Sequence, residues 1–208
     1  MSDFNPLEDK IAVVVKDFTL KKKGEGWFNK YSEPYIISMA IDQSGANNPA
    51  IDCNIQPYPK VKKDELVSFD GVGHLVYGPK NPGEFLVYSV TFMESDQDIR
   101  TAANTIEGII KSEAIKIGAK ALLVANPTYS TAVQLIGKIG SVVIDCMKKN
   151  KDDELFKRNG TLLRGTVPAY NIKETFPSEN AFIKTNIAVM PLISANSIVD
   201  NSKKITLE

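Results

Sequence analysis

One feature constrains this chain more than any other: strand-like patterning is interrupted once, by about fifty residues of helical period, and then resumes. Phe85-Leu86-Val87-Tyr88-Ser89-Val90-Thr91-Phe92 is the strongest strand in the sequence, rich in β-branched and aromatic residues. Directly after it, Ser95-Asp96 offers side-chain oxygens suited to a helix N-terminus. Ile99, Ala102, Ala103, Ile106, Ile109 and Ile110 then recur at helical spacing, in a pattern that weakens toward Lys120. Asn126-Pro127 breaks the run, because a residue before proline avoids the helical region. A second helix is predicted from about Thr128 to Lys149, with the stripe Ala132, Leu135, Ile136, Ile139, Val143 and Cys146 on one face. Its closing lysines suit the negative pole of the helix dipole.

On either side of this block the pattern is β. Before it lie Ile11–Leu20, Tyr35–Ile41 and Ile51–Ile55, with weaker segments at Val67–Phe69 and Gly73–Tyr77; after it come Thr161–Val167 and Phe182–Ile193. Turn material separates them, notably Gln43-Ser44-Gly45-Ala46-Asn47-Asn48-Pro49 and Lys80-Asn81-Pro82-Gly83. Strand, helix pair, strand in this order is the signature of an insertion into one domain. The expected fold is mainly β with an α insertion: an eight-stranded antiparallel β-sandwich from residues 8–94 and 151–195, a helical hairpin at 95–150 and a flexible tail at 196–208.

Charge and motifs remove several function classes. Twenty-five basic residues balance twenty-five acidic ones, so no global field recommends a nucleic acid as partner. The clusters Lys21-Lys22-Lys23 and Lys148, Lys149 and Lys151 read as solvated loop charge. No apolar stretch reaches the roughly 18 residues that span a bilayer, and Met1–Pro6 lacks the start of a secretory signal, so a cytoplasmic protein is expected. Cys53 and Cys146 are expected as buried thiols. His74 is the single histidine, which excludes zinc sites needing two or three and leaves one candidate base for a triad. No Gly-x-Ser-x-Gly turn, dinucleotide fingerprint or phosphate loop occurs. The expectation is a protein without catalytic activity; a hydrolase built on the carboxylates Glu94, Asp96 and Asp153 is the reading that would contradict it.

Acidic residues gather at the predicted strand ends. Glu33 precedes Pro34-Tyr35, Glu94 and Asp96 follow the strongest strand, and Asp152-Asp153 closes the helical block. If the helices form a hairpin these groups become neighbours, and a cluster of hard oxygen donors favours calcium. Alternatively, Glu33 starts a strand, Asp96 caps a helix and Asp152-Asp153 is loop charge.

Ser32-Glu33-Pro34-Tyr35-Ile36 resembles the Ser-Asp-Pro-Tyr-Val signature of the calcium- and lipid-binding "C-two" domain, the second conserved region of protein kinase C. Val90-Thr91-Phe92-Met93-Glu94-Ser95-Asp96 is similar to the strand entering that family's third calcium loop. Lys151-Asp152-Asp153-Glu154-Leu155 is similar to the Asn-Asp-Asp-x-x-Gly segment that ends the loop. The resemblance implies calcium ligands at Glu33, Glu94, Asp96 and Asp153, with Glu25 as the nearest acid for the first loop. It departs from the family in using Glu at two ligand positions, in Phe156 where the pattern has Gly, and in the helical insertion.

The expected function is a non-catalytic module that docks onto a partner protein in a larger assembly, through the sandwich end and the hairpin, with calcium at the acidic rim. The hairpin is expected to be dispensable for folding of the sandwich. Calcium-dependent attachment to a membrane is the alternative the resemblance implies.

Overall fold

The computed structural model describes residues 4–22, 31–44, 49–58, 60–69, 71, 73–95, 99–192 and 203–207. Ten strands and three α-helices are formed among them. The strands are β1 (Lys10–Leu20), β2 (Pro34–Asp42), β3 (Ala50–Pro57), β4 (Leu66–Ser68), β5 (His74–Lys80), β6 (Phe85–Glu94), β7 (Asp153–Leu163), β8 (Thr175–Glu179), β9 (Ile183–Leu192) and β10 (Lys203–Thr206). The helices α1 (Ile99–Lys116), α2 (Ala119–Ala125) and α3 (Tyr129–Lys149) lie between β6 and β7.

Two five-stranded antiparallel sheets result. The first runs β4-β1-β9-β8, with β5 also on β1; the second runs β10-β3-β2-β6-β7. Between them lies one apolar core, to which the first sheet contributes Val13, Val15, Phe18 and Ile187 and the second Ile36, Leu86, Val90 and Phe92. This is the arrangement of a β-sandwich.

The second sheet is also apolar on its other face. Along β2 the even positions Ile36 and Ala40 enter the core between the sheets, while Tyr35, Ile37, Met39 and Ile41 join the helices in a separate apolar cluster. Along β6, Phe85, Val87 and Met93 do the same. Every residue of β2 is buried, and so is every residue of β6 except Glu94. A strand buried on both faces needs a continuous apolar run instead of alternation, and Phe85–Phe92 supplies it. The outer cover comes from Ile106 and Ile110 of α1, Leu123 of α2 and Leu135, Ile136, Ile139 and Val143 of α3. Gly140 lets α3 approach closely: a Cβ there would stand 3.3 Å from the Met39 methyl.

The hairpin therefore does not stand off the sandwich. It leaves the sheet at Glu94, lies across the outer face and returns at Asp153, and its apolar stripe serves as the third layer of the domain. Among the described residues one helix, Tyr129–Lys149, is long and apolar enough to cross a membrane by length and composition alone; its stripe is buried on this sheet.

Several boundaries differ from the expectation. The helical block holds three helices, because Gly118 adopts a left-handed conformation (φ 63°) between α1 and α2. β7 begins at Asp153 instead of Thr161 and pairs with β6 along its whole length, with one irregularity between Phe92 and Met93. β8 contains Pro177, which an edge strand tolerates. β10 forms within the segment expected to be a flexible tail and pairs with β3, placing Ile205 in the outer apolar cluster. Cys53 is buried and Cys146 half-buried, both free.

Gly160 of β7 sits opposite Tyr88 of β6. A Cβ at Gly160 would collide with the Tyr88 ring, and that side chain is buried. Gly160→Ala is expected to destabilise the fold by about 1–3 kcal/mol, the usual cost of overpacking, measured by urea denaturation.

Candidate functional site

The second sheet gathers Glu33, Glu94 and Asp153 at one pole. Pro34 lies opposite Glu94, and Glu94 lies opposite Asp153, so the start of β2, the end of β6 and the start of β7 are adjacent. The Ser95 amide donates to the Glu33 carbonyl at 3.2 Å, which ties the residue after Glu94 to the residue before Pro34. Glu33 and Asp153 are exposed and Glu94 is half-buried. Directly opposed side chains in an antiparallel pair lie about 4.5–5.5 Å apart at Cβ, and the Lys148 ammonium, paired with Glu154 at 2.8 Å, also interacts electrostatically with Asp153. Glu25 and Asp96 lie outside the described residues. Among the described residues no group of three or more His, Cys, Asp or Glu side chains is placed to hold a metal ion. The described acids alone do not make a calcium site.

Asp152 and Asp153 part company at the turn from α3 into β7. Asp152 is buried and accepts the Tyr35 hydroxyl at 2.6 Å. Burial, then the hydrogen bond and the charge of Asp152, push the Tyr35 phenol far above its ordinary range, so it stays a donor. The pair pins the return of the helical layer to the start of β2.

A second charged cluster occupies the opposite end of the sheets. Lys80 of β5 reaches Asp42 at 2.7 Å and Asp52 at 2.8 Å, and the Tyr77 hydroxyl donates to Asp42 at 2.7 Å. Both carboxylates are almost wholly buried. Burial alone would lower the lysine, but the two carboxylates outweigh it and hold the ammonium above its usual value. The network joins the two sheets, with Lys80 and Tyr77 from one and both acids from the other. Sequence reasoning missed it. The legible signal was Asp52 itself, a charge flanked by Ile51 and Cys53 inside a strand.

His74 is buried on β5 with its ring 6.2 Å from that of Phe69. Its Nε2 has no hydrogen-bond partner, and burial pushes its pKa down to about 4. Among the described residues no carboxylate acts on this imidazole, so those residues do not give it the arrangement of a triad base.

The helical layer offers two features on its solvent side. One is an open groove of about 580 Å³ between α1 and α3. Thr105, Gly108 and Ser112 line it from α1, and Val142, Asp145 and Cys146 from α3; the small side chains on α1 keep it open. The other is the corner where α1, α2 and α3 succeed one another. Thr128 caps α3 there, accepting from the Thr131 amide, and Leu122, Val124, Tyr129 and Val133 are exposed around it. The sequence reading missed this corner because it did not resolve α2.

No known family matches the sequence, and no curated protein matches it.

His74 sets a pH dependence with a definite sign. Above about pH 6.5 the imidazole is neutral in both folded and unfolded chains and contributes no difference. Below that the unfolded chain takes up a proton that the folded chain refuses until about pH 4, so stability falls across this window. The loss attributable to His74 is about 3 kcal/mol at its lower end. His74→Phe should flatten that part of the profile, read as the difference between variant and wild-type unfolding free energies from pH 7 to pH 4.

Proposed function

We propose that this chain is a non-catalytic binding module of C-two-like architecture, which docks onto a partner protein in a larger assembly through the outward side of its helical layer. The observation that carries the reading is the α1–α3 groove. The inward faces of both helices are already committed to the sheet, while the groove between them is open to solvent and bordered by small side chains. Its lining mixes the apolar Ile109 and Val142 with Glu113, Asp145 and Lys149. Such a surface suits a protein segment that presents an apolar anchor and charges of both signs.

Gly108 gives the test, because a Cβ placed there meets nothing within 4 Å. Gly108→Trp fills the groove without invading the core. The expected outcome is an unchanged unfolding temperature together with loss of the stoichiometric complex isolated from the source cells with the wild-type chain. Retention of that complex at wild-type stoichiometry would overturn the assignment.

Calcium at the acidic pole is a second reading, favoured by the register that sets Glu94 opposite Asp153 and next to Pro34. It requires Asp96 or Glu25 to complete the donor set. Weak modular calcium sites have dissociation constants of about 0.1–1 mM. On this reading calorimetric titration in that range gives heat and a raised unfolding temperature, both lost in Glu94→Gln/Asp153→Asn. No heat from the wild-type chain would remove the ion from the account.

A further inference from the structure

The charged cluster between the sheets has the parts of a reaction as well as those of an ion pair. The Lys80 ammonium lies 2.7 Å from Asp42 Oδ2 and 2.8 Å from Asp52 Oδ2, and each carboxylate side chain is only 3% exposed. Asp42 accepts two further hydrogen bonds: the Tyr77 phenol donates to Oδ2 at 2.7 Å and the Ser44 hydroxyl to Oδ1 at 2.6 Å. The Tyr77 ring also walls the ammonium, with its centroid 4.9 Å from Nζ. Burial, then the charge of Asp42 and its hydrogen bond, push the Tyr77 phenol far above its ordinary range, so it stays a donor.

The backbone fixes these groups on strand ends of the two facing sheets. Lys80 pairs with Ile11 of β1, and Asp42 pairs with Leu86 of β6. Gly78, in a left-handed conformation (φ 89°), lets β5 pass the Ile11 carbonyl, with which a Cβ would collide. An amine held in hydrogen-bond contact with a carboxyl oxygen stands close to the roughly 3–3.5 Å from which attack on the carbon begins. Three charges meet here largely out of water, and an amide between the lysine and one acid would leave a single charge in their place. Desolvation makes that exchange favourable. Burial favours the neutral amine, while both carboxylates oppose it and prevail. The amine is therefore the minor form, which suits a slow reaction that each molecule performs once.

We propose that Lys80 and Asp42 join in an intramolecular amide, with Asp52 as the proton carrier, so that the two sheets become covalently cross-linked. One proton of the ammonium passes to Asp42 Oδ2, giving an amine and a carboxylic acid. The Nζ lone pair attacks Asp42 Cγ; the N–C bond forms and the carbonyl electrons move onto Oδ1, where Ser44 donates. Asp52 takes a second proton from the nitrogen and delivers it to Oδ2, which leaves as water with Tyr77 still donating to it. One ammonium and one carboxylate are consumed, one amide and one water are formed, and Asp52 ends as it began. The donors on both oxygens of Asp42 assign it as the acyl partner. The Lys80 side chain is 28% exposed, which gives the water a way out.

The test is the mass of the purified full chain under denaturing conditions, followed by proteolysis and peptide mapping. The expected result is a chain lighter than its sequence by one water, and a branched peptide joining Lys80 to Asp42. A cyclic imide at Asp70-Gly71 would lose the same mass without making a branch, so the loss without the branch counts against the proposal. Lys80→Arg keeps the charge and should show the full mass. Asp52→Asn should slow the reaction by about 100-fold or more, read as full-mass chain in freshly purified protein whose circular dichroism matches the wild type. A wild-type chain of full mass with no branched peptide would overturn the proposal, as would a branch that ends on Asp52 or persists undiminished in Asp52→Asn.

Discussion

The two central strands of the second sheet are apolar on both faces, and the rest of the structure follows from covering them. Pro34–Asp42 and Phe85–Met93 are buried throughout, so each face of this sheet needs a partner layer. The first sheet covers one face. The other is left to whatever the chain places between β6 and β7, and three helices fill that role. Each large aliphatic side chain buried there is worth about 1.5–3 kcal/mol. The helical segment is thus a structural layer first, and what it leaves facing outward is the α1–α3 groove and the α2 corner.

Polar groups inside this framework act as pins between elements. Lys80 with Asp42 and Asp52 joins the two sheets at one end, and Tyr35 with Asp152 joins the helical layer to the second sheet at the other. Buried charge networks of this kind contribute little net stability, because desolvation offsets much of the Coulomb attraction. Removing one member leaves an uncompensated charge, which makes wrong registers costly.

Much of the architecture was legible in sequence and some of it was hidden for physical reasons. The strands at Ile11–Leu20, Tyr35–Ile41 and Phe85–Phe92 stood out because their β-branched and aromatic runs are long. What those runs also implied, a sheet covered on both faces, was written in the lack of alternation between Phe85 and Phe92. β7 was hidden because it is an edge strand in which Lys157, Arg158 and Asn159 interrupt the apolar positions Leu155, Phe156 and Leu162. β8 was obscured by Pro177, and β10 by its brevity and two lysines. α2 was merged with α1, since a single glycine in a helical pattern does not announce a left-handed break. Of the predicted site residues, Glu33, Glu94 and Asp153 fall on adjacent strand ends, and Glu25 and Asp96 lie outside the described residues. The buried pairing of Asp152 with Tyr35 could not be read from sequence, because two adjacent aspartates give no sign of which one turns inward.

The central claim, that the helical block is the outer layer of the second sheet, is tested most directly by replacing residues 95–150 with a short Gly-Ser linker and measuring denaturant unfolding of the product. The account predicts loss of cooperative unfolding and binding of a hydrophobic dye, because Ile37, Met39, Ile41 and Val87 would face water. A shortened chain that remains monomeric and unfolds in one cooperative transition at near wild-type stability would contradict it.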